Sequence, residues 1–275
     1  MLSHRGRVRR GNEDACAASR SLGAFVVCDG MGGAAAGEVA SHLAAETFLA
    51  HLVPHDPPPA KTPTPQARLN SAVQAANHAV FQKSRHNAEL AGMGTTLVAL
   101  LHAPAAVPPA ATPENSAAVT IRPVPPSLWL AHVGDSRCYL YRGREITRLT
   151  DDHSLVEEQL RAGQITAAEA AHSPMRNLIT RAIGSQSTVD TDIQALRTQP
   201  GDLYLLASDG LTRELTDADI ATVLADIPSP PTEPYLAAAC KALIKAANDH
   251  GGRDNITVLL LAFPQGVERR KPRRA

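Results

Sequence analysis

Leu22-Gly23-Ala24-Phe25-Val26-Val27-Cys28 runs straight into Asp29-Gly30, and far downstream Asp202-Leu203-Tyr204-Leu205-Leu206-Ala207 runs into Ser208-Asp209-Gly210. Each is a short apolar run rich in β-formers that stops at an acidic turn, which predicts a strand followed by a tight loop. A third apolar run, Ile256 to Phe263, is preceded by Arg253-Asp254-Asn255. Asp29, Asp209 and Asp254 thus each sit in a turn beside a strand, where sheet folding can bring them to one edge. Glu13-Asp14 adds two more acids near the N-terminus.

The rest of the chain supplies partners for these strands. Thr95 to Leu101 and Leu128 to Val133 read as strands, and Arg137 to Tyr141 with Glu145 to Leu149 reads as a hairpin turned at Arg142-Gly143. Apolar residues recur at helical spacing from Gly37 to Leu52 and from Thr64 to Ser84, and a further helix spans Pro231 to Asn248. Ser154 with Glu157, and Thr166 with Glu169, have capping-box spacing, so Asp151 to Gly184 reads as mostly helical; Thr216 with Asp219 opens another helix. Strands in the middle bracketed by helix pairs predict an α+β fold, with two antiparallel sheets whose outer faces carry helices.

Composition narrows the function classes. The 275 residues are 44% hydrophobic and carry 27 basic against 27 acidic side chains, a balance that gives no reason to expect nucleic-acid or membrane binding. No apolar stretch approaches the roughly 18 residues of a membrane span. Cys16, Cys28, Cys138 and Cys240 are widely spaced without a Cys-x-x-Cys pair, which reads as four reduced thiols in a cytoplasmic protein. No signal peptide precedes them, so the protein is expected to begin near Met1 and to stand alone as a catalytic domain. Seven prolines fall between Leu101 and Ser127, which marks residues 102–127 as an insertion in a hairpin, and Pro54 to Pro65 as a linker between helices. The basic tail, residues 265–275, reads as a solvated end.

Carboxylates without thiolates or paired histidines suit hard cations such as Mg²⁺ and Mn²⁺. Gly30 lets the backbone turn sharply and offers its own carbonyl as a ligand. Any single Asp-Gly pair is also an ordinary turn. Taken together, a metal site for hydrolysis of a phosphate ester is the function these residues point to first.

Eight motifs in order extend this reading: Arg9-x-x-Asn12-Glu13-Asp14, Val27-Cys28-Asp29-Gly30-Met31-Gly32-Gly33, Gly37-Glu38, Gly92-Met93-Gly94-Thr95-Thr96, Val133-Gly134-Asp135-Ser136-Arg137, Asp152-His153-Ser154, Ala207-Ser208-Asp209-Gly210-Leu211 and Gly252-Arg253-Asp254-Asn255-Ile256-Thr257. Jointly they resemble the bacterial metal-dependent serine/threonine protein phosphatases of the 2C type, over almost the whole chain. The resemblance implies a four-layer α/β/β/α sandwich over residues 1–264, with a flap at residues 151–184 and a centre of two Mn²⁺ or Mg²⁺ ions. By position it makes Asp29 the bridging carboxylate, with Glu13 and the Gly30 carbonyl on one ion and Asp209 and Asp254 on the other. Asp14 then positions water, Asp135 with Asp209 supplies a third, weaker metal position, Arg9 grips the phosphate, and Asn255 orients the site.

The implied reaction is attack of a metal-bridging water on phosphoserine and phosphothreonine in protein substrates, opposing a bacterial serine/threonine kinase. No protein nucleophile is then needed, in keeping with the lack of a Cys-x5-Arg signature. The chain departs from the family at two positions: Met31 stands where animal members carry a histidine, and Ala34 where bacterial members often do, so a general acid is not identified. Within the flap, Arg176 and Arg181 are either contacts for acidic substrate residues or structural ion-pair partners, and His153 reads as structural. The rival from another class is a catalytically silent phosphoprotein-binding scaffold, against which the full set of acids argues.

Overall fold

The computed structural model describes residues 1–54, 62–103 and 127–263. Most of the proline-rich insertion, the middle of the 54–65 linker and the basic tail lie outside the described residues. Eleven strands and seven helices are found among those described.

One sheet is built from β1 (Leu2–His4), β11 (Ile256–Ala262), β10 (Leu203–Ala207), β7 (Arg137–Arg142) and β8 (Glu145–Arg148), in that order. The other follows the order β2 (Asp14–Ser19), β3 (Ala24–Met31), β5 (Leu97–His102), β6 (Leu128–Val133) and β9 (Asp192–Leu196), with the short β4 (Gly94–Thr95) pairing on β3. All pairings are antiparallel.

Period-two alternation decides which layer each residue enters. Val27, Val98, Leu100, Leu130, Tyr204 and Leu206 interlock between the sheets. Val26, Cys28, Leu97, Ala99 and Leu101 point the other way, against α1 (Ala34–Leu52) and α2 (Pro65–His86). Leu203, Leu205, Ala207, Val258 and Leu260 face α6 (Asp217–Ala225) and α7 (Glu233–Asp249). The result is the four-layer α/β/β/α sandwich.

Several local expectations shift. β3 does not stop at Cys28 but continues through Asp29 and Gly30 to Met31, because β2 and β4 pair with it there. The β7–β8 hairpin turns at Gly143-Arg144, one residue later than expected. Both have positive φ, 59° and 70°, which matches the twist of a two-residue hairpin loop. The 151–184 segment is less helical than expected: α3 (Leu155–Arg161) and α4 (Ala167–His172) are short, and residues 173–184 are irregular. Thr166 and Glu169 form the full capping box, as do Thr216 and Asp219. Ser154 caps α3, but the Glu157 carboxylate turns away to Arg148 at 2.8 Å. Among the described residues no helix is long and apolar enough to cross a membrane.

Candidate metal centre

Strand direction alone gathers the acids. β2 begins, β3 and β6 end, β7 begins, β10 ends and β11 begins at the same end of the sandwich. Glu13 therefore lies just before β2, Asp29 near the end of β3, and Asp135 on the link where the chain crosses from one sheet to the other. Asp209 opens the one-turn helix α5 (Asp209–Thr212), and Asp254 precedes β11. All of these except the inner Asp14 line a cleft of about 590 Å³, with Arg9, Gly30, Arg213 and Asn255 on its walls and Asn177, Leu178 and Ile179 of the 151–184 segment above.

Backbone hydrogen bonds fix the positions of these residues. Thr96 N–H (2.9 Å) and Thr95 Oγ1–H (2.8 Å) both donate to the Asp29 carbonyl, while Asp29 N–H donates to Thr96 Oγ1 at 2.9 Å. Gly30 N–H donates to the Glu13 carbonyl at 3.1 Å. A Cβ on Gly30 would collide with the Glu13 and Gly37 carbonyls, and one on Gly37 with the Glu13 carboxylate, so close approach requires glycine at both. Asn255 ties the N-terminal loop to β11. Its Oδ1 accepts from Glu13 N–H at 2.8 Å, and its Nδ2 donates to the Arg5 and Gly11 carbonyls at 3.0 and 2.9 Å.

Asp14 pairs across the strands with Asp29 and lies fully inside, its Oδ2 accepting from Ser208 Oγ at 2.8 Å. Arg9 stands at the rim, Nη2 2.9 Å from Asp254 Oδ2. The least anticipated residue is Arg213. Its guanidinium contacts Asp209 and lies 3.3 Å from Asp254 and 3.7 Å from Asp135. The Asp-x-x-x-Arg spacing on the turn after Ser208 was the available signal, since residues four apart share a helix face.

Crowding the acids raises their pKa values. Burial, and secondarily the neighbouring carboxylates, push Asp14 and Asp135 up to about 7 and Asp29 well above the usual range. Burial also raises Asp209, against the pull of Arg213. Three carboxylate oxygens, Asp14 Oδ1, Asp135 Oδ1 and Asp209 Oδ1, are buried with no hydrogen-bond partner. An unpartnered buried acceptor costs about 1–3 kcal/mol, more when charged, and cations relieve that cost. An all-oxygen donor set of this kind fits Mg²⁺ or Mn²⁺.

The 151–184 segment is held from below. Arg137 makes a fork-to-fork pair with Asp152, with contacts of 2.6 and 2.9 Å, and Leu155 N–H donates to the Leu178 carbonyl. Arg181 is structural, paired with Asp192 at 3.0 Å, whereas Arg176 lines an adjoining hollow that shares Asp135, Asp209 and Arg213 with the cleft.

A second group, His132, His153 and Asp192, brings three potential ligand atoms within 4.8 Å of one another, beside a larger hollow of about 800 Å³ that contains none of the clustered acids. The two rings stack at 4.7 Å, and burial lowers both pKa values, which keeps the rings neutral. Gly134 N–H donates to His153 Nδ1 at 3.1 Å, which places the ring proton on Nε2, facing Asp192 Oδ2 at 3.3 Å. A neutral ring cannot offer that same nitrogen to an ion. In this arrangement the group ties β6 and β9 to the start of the 151–184 segment, and the unpartnered buried carboxylate oxygens are those of Asp14, Asp135 and Asp209.

The comparisons with known proteins agree with this geometry. The family model described as Protein phosphatase 2C matches residues 3–112. The serine/threonine phosphatase stp of Listeria monocytogenes is 33% identical over 266 residues, covering 94% of this chain and 92% of its own length. The chain belongs to the protein phosphatase 2C family. Its place is in the bacterial branch of these metal-dependent serine/threonine phosphatases. The serine/threonine protein phosphatase PstP of Mycobacterium tuberculosis is 37% identical over 258 residues, or 94% of this chain, which spans only 43% of PstP. The crystal structure of the PstP catalytic domain in complex with two manganese ions matches with a TM-score of 0.71 at 36% identity, covering 94% of each chain.

Proposed function

We propose that residues 1–264 form a catalytic unit that hydrolyses phosphoserine and phosphothreonine monoesters on protein substrates and so opposes a bacterial serine/threonine kinase. The observation that carries this reading is the convergence of acids from separate segments on one cleft, with buried carboxylate oxygens left unpartnered. Two Mn²⁺ or Mg²⁺ ions would be held by Glu13, Asp29, the Gly30 carbonyl, Asp209 and Asp254. When bound, such a pair supplies an acidified water and neutralises the oxygens of the phosphoryl group.

The chain's own residues do the positioning. Asp14, fixed through Oδ2 by Ser208, lies inside the cleft wall beside Asp29, and its unpartnered Oδ1 would position water there. Arg9, half exposed at the rim, has a planar fork that suits two phosphate oxygens once it leaves Asp254. Asn255 holds Glu13 in place. Asn177, Leu178 and Ile179 cover the cleft as the flap of residues 151–184, where they meet the substrate chain. Met31 has no proton to give, and among the described residues no histidine lines the cleft. The leaving-group proton is therefore assigned to solvent.

The test is hydrolysis of p-nitrophenyl phosphate and of a phosphothreonine peptide by metal-stripped protein titrated with Mn²⁺ and Mg²⁺. Turnover that requires metal and vanishes in Asp209→Asn supports the assignment. Metal binding by a folded protein with no turnover on either substrate would refute it.

A further inference from the structure

Arg213 was not among the residues assigned to the centre, yet it touches more of the acids than any other side chain described. Its guanidinium meets Asp209 Oδ2, Asp254 Oδ2 and Asp135 Oδ2, and its side chain is 31% exposed. All three contacts are to Oδ2 atoms, while Asp135 Oδ1 and Asp209 Oδ1 remain buried and unpartnered. The guanidinium covers one side of these carboxylates and leaves the other open. A lysine, with a single point of charge, would not span three carboxylates in this way.

Arg213 already occupies one side of the Asp135, Asp209 and Asp254 carboxylates with a fixed positive charge. An ion held by Asp135 and Asp209 on the side Arg213 covers would sit against the guanidinium, where little water screens the repulsion.

We propose that Arg213 is a fixed internal cation for the Asp135, Asp209 and Asp254 side of the centre, so that this chain takes up two divalent ions and has no place for a third at Asp135. This deepens the two-ion reading above and rests on it. Arg213 is a positioning residue: it holds three acids in place and sets the ion count without touching the substrate. The third position that family resemblance implies at Asp135 is, in this chain, filled by an amino-acid side chain.

The experiment counts ions and does not depend on turnover. Metal-stripped protein is titrated with Mn²⁺ by calorimetry, with free Mn²⁺ followed by electron paramagnetic resonance. The wild type is expected to bind two equivalents, and Asp135→Asn to leave that count unchanged. Arg213→Asp, which replaces the guanidinium with a carboxylate, is expected to gain a third, weaker equivalent that disappears in the Arg213→Asp, Asp135→Asn double variant. If Arg213→Asp does not fold, Arg213→Ala is read in its place with the same expected gain.

A third equivalent in the wild type that Asp135→Asn removes would overturn the proposal, because the guanidinium would then move aside for an ion. So would a count that stays at two in the folded Arg213 variant at high Mn²⁺. Failure of the underlying reading looks different: fewer than two ions in the wild type, or two that survive Asp29→Asn, whatever the Arg213 variants do.

Discussion

Removing the metal should make this protein less stable as pH rises from about 4 to about 7, the reverse of what clustered salt bridges produce. Asp14 and Asp135 are raised from 3.8 to about 7 by burial and by neighbouring carboxylates. Between those values the folded state holds protons that the unfolded chain has released, so the stabilisation is complete below pH 4 and is lost as pH passes 7. Each pKa unit is worth about 1.36 kcal/mol, so one such carboxyl contributes about 4 kcal/mol across the window. For a chain of this size that is a fall in Tm of roughly 10 °C. Thermal unfolding of metal-stripped protein between pH 4 and 8 measures it, with Asp135→Asn as the control that lacks one titrating group and should show a shallower slope. Added Mn²⁺ should flatten or reverse the trend, because ions bind the ionised acids and stabilise only the folded state. A metal-free Tm that climbs from pH 5 to 8, or an Asp135→Asn slope equal to the wild type, would refute the reasoning.

Other outcomes test single residues. Asp29→Asn should abolish metal-dependent turnover and weaken Mn²⁺ uptake, and unchanged activity would show that Asp29 is not a ligand. Gly37→Ala drives a methyl group into the Glu13 carboxylate, so calorimetry should show Mn²⁺ affinity falling at least about tenfold, a loss of some 1.4 kcal/mol, while circular dichroism stays that of the folded protein. Asn255→Ala removes three hydrogen bonds between the N-terminal loop and β11. At about 1 kcal/mol each, chemical denaturation should show a loss of roughly 3 kcal/mol, and a loss under about 0.5 kcal/mol would mean the loop is held elsewhere.

The strands that sequence reading found are those where hydrophobicity and β-propensity agree, as in Val26-Val27 of β3 and the Leu-rich β10 and β11. Those it missed form for tertiary reasons. β2, Asp14-Ala-Cys-Ala-Ala-Ser, has no β-branched or aromatic residue and exists because six consecutive residues pair with β3. β9 is an edge strand with only one buried residue, Leu196, and β1 is three residues held by β11. The same neighbours carry β3 past Cys28, so the acid read as part of a turn is held within a ladder. Stronger constraint on its backbone follows, since Thr95 and Thr96 hydrogen-bond to it from the adjacent strand.

The acids of the site were legible because carboxylates at strand ends stand out against apolar runs, and Arg9 only through the family resemblance; Arg213 was not, because an arginine four residues past an aspartate looks like any surface helix pair. The distinction is physical. A carboxylate cluster read in isolation shows only the acids, whereas Arg9 and Arg213 stand among them in the fold. Arg213 reaches Asp135 from the α5 turn and Arg9 reaches Asp254 from the N-terminal loop, the latter a contact between residues 245 apart in sequence and beyond any local pattern. On the proposal made above, the ion count of the Mn²⁺ titration depends on Arg213 as well as on the acids.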